Sequence, residues 1–303
     1  MREGQVEGTI IKGYSGFYYV QTAETLYTCS LRGKFRLQAN DRVFLVGDRV
    51  RLTVIEKDRG VIDQVMPRRN ELLRPAIANV DQVLLVFALA APEPDFGLLD
   101  RMLLLAFHEG IRPVILWNKA DQVAPEVQEQ VQAMYRASAV PQFLIAAREG
   151  LGIDQVRPLL TGAISVLAGP SGAGKSTLLN ALEPGLTLKT GDVSAKIGRG
   201  RHTTRHVELM KLASGALIAD TPGFSTLYLP DIPEAALADL MPEITALDAG
   251  CRYTSCLHVN EPDCAVKRAL EEGRIHPQRY RHYVTFLQEM QEQKKRGPKG
   301  KKP

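Results

Sequence analysis

The residues with the plainest chemical meaning are Gly169-Pro-Ser-Gly-Ala-Gly174-Lys175-Ser176, which fit the pattern GxxxxGK[ST]. They follow the apolar run Ile164–Ala168 and precede Thr-Leu-Leu-Asn-Ala-Leu, so the expected setting is strand, loop and helix. In that setting glycines let backbone N–H groups converge on phosphate oxygens, and the helix amino terminus favours their negative charge. The expected phosphate contacts are Gly169, Pro170, Ser171, Gly172, Ala173 and Gly174, followed by Lys175, Ser176 and Thr177. Lys175 is the expected bridge between β and γ phosphates and is assigned a catalytic role; Ser176 is an expected Mg²⁺ ligand.

Two further clusters belong with this loop. Asp220-Thr-Pro-Gly223 ends an apolar segment at 216–219. There Asp220 can hold Mg²⁺ through water and the Gly223 N–H can meet a γ phosphate. Asn118-Lys119-Ala-Asp121 ends another apolar segment, at 113–117. The Asp121 carboxylate can accept from the N1–H and N2–H₂ of guanine, donors that adenine lacks, which points to GTP and GDP as ligands. Ala146 and Ala147 stand at the end of a third apolar segment, and with Asn118, Lys119 and Asp121 they are counted among the expected GTP-binding residues.

Between the phosphate loop and DTPG lies the basic, Gly-rich segment Lys196-Ile-Gly-Arg-Gly-Arg-His202-Thr203-Thr204-Arg205-His206. It suits a switch loop in which one threonine gives its hydroxyl to Mg²⁺ and its N–H to the γ phosphate. Thr204 is chosen over Thr203 by analogy with GTPases that carry a Thr-Arg pair at this site. Phe224 stands after DTPG, where Ras-like enzymes place a water-orienting glutamine, so intrinsic hydrolysis is expected to be slow. His202 is a candidate for the water-orienting group and is counted with Lys175 and Thr204 as catalytic.

A separate chemistry is written at Cys251-x4-Cys256-x-His258-x5-Cys264. Three thiolates and one imidazole match a closed tetrahedral zinc site, structural because no position remains for water. Cys29 stands apart and reads as a small buried hydrophobe.

These groups need elements to hold them. Residues 1–67 alternate short Val-, Ile-, Tyr- and Phe-rich segments with glycines, which predicts an all-β closed barrel of the OB type. Pro67 to Glu71 read as a linker. From about residue 80, continuous apolar runs at 83–90, 113–117, 143–146 and 164–168 alternate with helical stretches at 98–108, 125–138 and 152–160. That is the signature of a parallel sheet covered on both faces. Segments 207–212 and 216–219 predict an antiparallel pair at the sheet edge. Helices are predicted at 265–272 and 279–293, with Tyr280, Tyr283 and Phe286 in a core.

The 303 residues are 45% apolar and 24% charged, an ordinary globular composition. Lys/Arg against Asp/Glu count 10 to 8 in residues 1–67, 17 to 22 in 68–264 and 11 to 4 in 265–303, or +2, −5 and +7. A basic carboxyl end beyond an acidic middle fits contact with a polyanion such as RNA. No apolar stretch reaches the roughly 18 residues of a membrane span, which makes a cytoplasmic protein without membrane contact the expectation. The motif order is the anomaly. In Ras-like GTPases NKxD comes last, whereas here it precedes the phosphate loop, so the domain reads as circularly permuted, with DTPG leading directly into the carboxyl-terminal segment.

NKAD at 118–121, GPSGAGKS at 169–176, GRGRHTTRH at 198–206, DTPGF at 220–224 and CRYTSCLHVNEPDCAV at 251–266 together resemble the bacterial ribosome small-subunit-dependent GTPase A family. The Val46-Gly-Asp-Arg-Val and Pro67-Arg-Arg-Asn segments resemble it too, so nearly the whole chain is covered. Asp263 departs from the glycine often found there. The resemblance implies a multidomain chain: an OB-fold RNA-binding barrel at 1–67, a permuted α/β P-loop GTPase at 68–228, and a mostly α zinc-binding module with a basic tail at 229–303. It implies GTP hydrolysis stimulated by the small ribosomal subunit during late maturation, one zinc ion, Mg²⁺ with GTP, contact with the subunit's rRNA, and a monomer. A non-enzymatic, GTP-switched RNA-binding assembly factor is the alternative.

Overall fold

The ten-residue strand β1 (Gln5–Tyr14) begins a closed five-stranded barrel with β2 (Phe17–Gln21), β3 (Leu26–Leu31), β4 (Arg49–Glu56) and β5 (Arg59–Val65). Its order is β1-β2-β3-β5-β4, closed by the parallel pair β3–β5 and by β1–β4. Closure removes the strand edges that so small a sheet would leave open. Ile10, Val20, Cys29, Val50, Leu52 and Ile62 fill the interior. Burial pushes the Cys29 thiol up to about 11, as befits an inert core residue. The structure, a computed structural model, describes residues 4–33, 44–73, 76–185, 207–220 and 229–295, with Leu73 and Asp220 described by backbone alone.

The segment read as a linker is instead a built joint. Asp48, fully buried, accepts from Arg68 Nε at 2.7 Å and Nη2 at 2.9 Å and from the Leu45 N–H at 2.8 Å. Arg68 also meets Glu71, and β6 (Glu71–Leu73) pairs with β7 (Ala76–Ala78) as a hairpin. Val46 bridges to Ile77. A polar run looks solvated in sequence when its partner lies 20 residues away; here Val46-Gly-Asp and Pro67-Arg-Arg-Asn are the two sides of one contact between barrel and sheet domain.

Six strands make the central sheet, in the order β10-β9-β8-β11-β13-β12. They are β8 (Gln82–Ala88), β9 (Arg112–Asn118), β10 (Gln142–Leu144), β11 (Ile164–Ala168), β12 (Met210–Lys211) and β13 (Leu217–Asp220). All are parallel except β12, which runs antiparallel to β13 at the edge. In β8, Val83, Leu85 and Phe87 join one apolar cluster and Leu84 and Val86 another, which is why the strand is continuously apolar. Helices α1 (Phe96–His108), α2 (Pro125–Arg136), α3 (Ile153–Leu160) and α4 (Lys175–Leu182) connect the strands.

The carboxyl-terminal region is helical: a 3-10 helix (Glu234–Leu240), α5 (Pro242–Asp248), α6 (Ala265–Glu271) and α7 (Pro277–Lys295). Tyr283, Phe286, Leu287 and Met290 are buried in its core. Among the described residues no helix is long and apolar enough to cross a membrane.

Candidate functional site

The parallel register aligns the carboxyl ends of the strands that carry the motifs. Ala88 stands opposite Asn118 and Leu167 opposite Asp220. The chain visits β8, β9 and β10 on one side, then crosses to β11 on the other side of β8. The order therefore reverses at β8, and loops leaving β8, β9 and β11 diverge around a crevice, the usual ligand position of an open α/β sheet.

The phosphate-type loop lies in that crevice. Gly169 has φ 141°, and a Cβ there would sit 2.1 Å from the Val86 carbonyl oxygen, so any larger residue would push the loop off the sheet. Gly174 has φ 96°, and its Cβ would fall 2.2 Å from Asn118 Nδ2. Lys175 Nζ donates to the carbonyls of Gly169 and Pro170, at 2.8 Å each, which holds the cation beside the first turn of the loop. Lys175, Ser176 and Thr177 open α4, half-buried at its amino terminus. Ser171 and Gly172 are exposed, whereas Ala173 is buried.

Asn118 ties the site together. The residue is 2% exposed, and its Nδ2 donates to the Ala173 carbonyl at 2.8 Å. Its Oδ1 accepts from the Lys119 N–H at 2.9 Å and the Ala147 N–H at 3.0 Å. One amide thus joins the phosphate-type loop, the NKAD turn and the Ala146-Ala147 segment, with both acceptor lone pairs engaged by backbone. The sequence placed Asn118 among the GTP-binding residues; in the structure its side chain braces these loops, a contact invisible in sequence because Ala173 and Ala147 accept or donate through backbone. Lys119 is left-handed at φ 60°, and its ammonium donates to the Ala91 carbonyl in the loop between β8 and α1. That loop also brings Pro92 close to Gly172, a contact no motif signalled.

Asp121 is exposed in the 3-10 turn Ala120–Gln122, which the N–H of buried Ala120 pins to the Ile145 carbonyl at 3.1 Å. Ala146 and Ala147 are buried, and Ala146 exchanges backbone hydrogen bonds with Leu151. The arrangement sets an open carboxylate and a backbone shelf beside the phosphate-type loop. The backbone of Asp220 closes β13 next to Leu167, two residues before Gly169. His202, Thr203, Thr204, Gly223 and Phe224 lie outside the described residues, as does the basic tail 296–303.

Cys251, Cys256, His258 and Cys264 converge, their ligand atoms all within 4.8 Å of one another. Cys251 Sγ and Cys264 Sγ are 3.9 Å apart, and His258 Nδ1 is 3.6 and 3.5 Å from them. A tetrahedron with metal–sulfur bonds of about 2.3 Å has edges of about 3.8 Å, so the spacing fits a metal ion. Burial pushes the Cys256 thiol up to about 12 and the His258 imidazole below its ordinary value. A cation at the centre reverses the first effect by stabilising thiolates, and the second keeps the imidazole in its ligating neutral form. The frame is well braced. Tyr280 and Tyr283 donate hydroxyl hydrogen bonds to the carbonyls of His258 and Leu257, and Glu261 accepts from the N–H groups of Leu257, Val259 and Asn260.

This module is fastened to the sheet domain through α1. Asp100, fully buried, meets Arg279, accepts from Tyr135 Oη at 2.8 Å, and lies 2.5 Å from His282 Nδ1. Arg279 in turn meets Glu243 at 2.5 Å and lies over the Tyr135 ring at 4.9 Å. Burial opposes the guanidinium charge, and the two carboxylates beside it outweigh that and hold its pKa up.

A family model described as RsgA GTPase matches residues 65–230, and one described as RsgA N-terminal domain matches residues 7–62. The chain is 51% identical to the small ribosomal subunit biogenesis GTPase RsgA of Moorella thermoacetica over 285 residues, covering 94% of this chain and 97% of that one. It is 46% identical over 295 residues to the protein of the same name from Bacillus anthracis, covering 96% and 99%. Among solved structures it is similar to YjeQ from Thermotoga maritima, with a TM-score of 0.81 and 36% identity over 95% of this chain and 99% of that chain. YloQ, described as a circularly permuted GTPase, is similar to the same degree, with a TM-score of 0.81 and 36% identity over 99% of both chains.

Proposed function

The chain belongs to the RsgA GTPase family, and on that premise we propose that it hydrolyses GTP in the biogenesis of the small ribosomal subunit. The observation that carries the GTP site is the Asn118 brace, which gathers the NKAD turn, the Ala146-Ala147 segment and the phosphate-type loop at one sheet edge.

That gathering supports the roles of the residues it joins, and motif spacing supports the others. Asp121 reads the guanine edge, with Lys119, Ala146 and Ala147 forming the base shelf, and Asn118 holds the three loops in register. Gly169 to Thr177 cradle the phosphates, with Lys175 as the charge that acts on the γ phosphate. Ser176 and Thr204 are the ligands for Mg²⁺, which when bound offsets negative charge on the β and γ phosphates. Asp220 and Gly223 sense the γ phosphate, and His202 orients water. The Cys251, Cys256, His258 and Cys264 site holds one structural zinc ion, a reading supported by its donor set and spacing.

The finer biology is proposed likewise. The protein acts as a cytoplasmic monomer on rRNA of the small subunit late in maturation, and subunit binding stimulates hydrolysis. The parts are the barrel at 1–67, the permuted GTPase at 68–228 and the zinc module at 229–303. The net charge of +7 in residues 265–303 supports contact with a polyanion.

The test measures GTP turnover alone and with small subunits, large subunits or free rRNA. Small subunits are expected to raise a rate that otherwise lies well below the roughly 1–10³ s⁻¹ of typical enzymes. No turnover under any condition, with GTP still bound, would leave a GTP-switched RNA-binding factor in place of an enzyme. Asp121→Asn tests the base contact: GTP should bind more weakly and xanthosine triphosphate more tightly, because its C2 oxygen replaces the amino donor.

A further inference from the structure

The Cys/His cluster contains a buried polar atom that the four ligand positions do not account for. His258 is fully buried, with its Nδ1 turned toward Cys251 Sγ and Cys264 Sγ at 3.6 and 3.5 Å. Its other ring nitrogen, Nε2, is buried without a hydrogen bond among the described residues. A neutral imidazole that ligates through Nδ1 gives that lone pair to the metal, so Nε2 carries the proton and is a donor. A buried donor needs an acceptor, and ligating histidines ordinarily find one in a carboxylate or a backbone carbonyl.

Two carboxylates act on the ring, those of Asp248 and Glu261. Glu261 is committed elsewhere: Oε1 accepts from the Leu257 N–H at 2.9 Å, and Oε2 from the N–H groups of Val259 and Asn260 at 3.0 and 3.1 Å. Asp248 Oδ1 lies 3.4 Å from Nε2. Its backbone is already bound to the site, because Asp248 ends α5 and its carbonyl accepts from the Cys251 N–H at 2.9 Å. A residue outside the Cys/His motif therefore faces two of the four ligands. At the start of α5, Glu243 meets Arg279, so this helix runs from the cluster to the buried Arg279–Asp100 pair.

The backbone alone does not settle how the ring turns. His258 is left-handed at φ 59°, and the Tyr280 hydroxyl donates to its carbonyl at 2.7 Å, which fixes where the side chain begins. Rotation about Cβ–Cγ would still carry Nδ1 away from the thiols, and a hydrogen bond at Nε2 opposes that rotation.

We propose that Asp248 is the positioning residue of the metal site: its carboxylate accepts from His258 Nε2–H, holds the ring in the Nδ1-ligating tautomer and orientation, and fastens α5 to the bound metal. This rests on the zinc-site reading given above. The Asp248 side chain is 48% exposed, so replacing it removes little burial and leaves its carbonyl bonded to Cys251.

The experiment uses the full-length, zinc-loaded protein with ¹⁵N-labelled histidine, as wild type, Asp248→Ala and Asp248→Asn. Proton–nitrogen correlation spectra are expected to show Nε2 protonated and Nδ1 metal-bound, with an Nε2–H that exchanges slowly with water in the wild type and faster in Asp248→Ala. Competition with a chromophoric chelator is expected to show zinc held about 10- to 100-fold more weakly by Asp248→Ala. Asp248→Asn, which keeps an acceptor oxygen and loses the charge, should fall between the two. A fluorescent GTP analogue, expected to bind all three alike, reports that the sheet domain is intact. A wild type that binds no zinc, or binds it as tightly after Cys256→Ser, removes the metal-site reading and this proposal with it. If zinc is bound through these ligands but the ring ligates by Nε2, or Asp248→Ala leaves either the Nε2–H exchange or the zinc affinity unchanged, the role of Asp248 alone is overturned.

Discussion

Asn118 concentrates more of the site in one side chain than any residue whose type suggests catalysis. Replacing it with alanine leaves the Ala173 carbonyl and the Ala147 N–H without their partner in a buried setting, and the half-buried Lys119 N–H without its own. An unmade buried hydrogen bond costs about 1–3 kcal/mol. Asn118→Ala is therefore expected to weaken GTP binding by about 10- to 100-fold, by loosening both the base turn and the phosphate-type loop. Nucleotide titration with GTP, GDP and pyrophosphate checks this. A loss confined to GTP and GDP, with pyrophosphate unaffected, would limit Asn118 to the base side.

Between elements, burial decides which ion pairs matter. Asp100 and Arg279 are 1% and 2% exposed and join α1 to α7, whereas Lys294 and Glu234 are paired in solvent at 3.1 Å. Removing one partner of a buried pair strands the other charge and costs about 3–5 kcal/mol, against less than about 1 for an exposed pair. Asp100→Ala should thus lower the melting temperature by several degrees and Lys294→Ala scarcely at all, as read by calorimetry. The metal site obeys the same logic. Cys256→Ser, or a strong chelator, should melt the region around 251–264 and cut subunit-stimulated turnover, because ligand-held metal supplies the folding free energy of so small a unit. Near-normal melting and stimulation with the site shown to be free of metal would mean that the tyrosine and Glu261 hydrogen bonds suffice.

For the whole molecule, the ion pairs Asp48–Arg68 and Asp100–Arg279 tie the barrel to the joint before the sheet and the sheet to the carboxyl-terminal helices. A protein cut after about residue 229 would expose Leu104, which packs with the carboxyl-terminal core, and strip Asp100 of Arg279 and His282. Its GTPase part is expected to melt lower and to bind GTP more weakly than the intact chain. Subunit binding by the intact chain should fall steeply with salt, by about 10³-fold or more between 50 and 200 mM if six or more phosphates are contacted. Sedimentation across a salt series measures this, and a flat response would assign docking to protein rather than rRNA.

The sequence by itself determined the parts and their chemistry. Motifs such as GPSGAGKS, NKAD and the Cys/His run are local, so spacing alone announces a phosphate-type loop, a base-reading turn and a metal site, and their order announces the permutation. Alternation in 1–67 and continuous apolar runs after residue 80 likewise expose the barrel and the parallel sheet, because burial on one or two faces is written at period two. What only the tertiary structure decided are contacts between residues far apart in the chain: Asn118 with Ala173, Asp48 with Arg68, Asp100 with Arg279, and the Ile11 carbonyl with the Leu209 N–H. Several of these use backbone groups, which every residue carries, and the others join charges that would look equally at home in water. Their meaning comes from burial, and burial is a property of the folded chain.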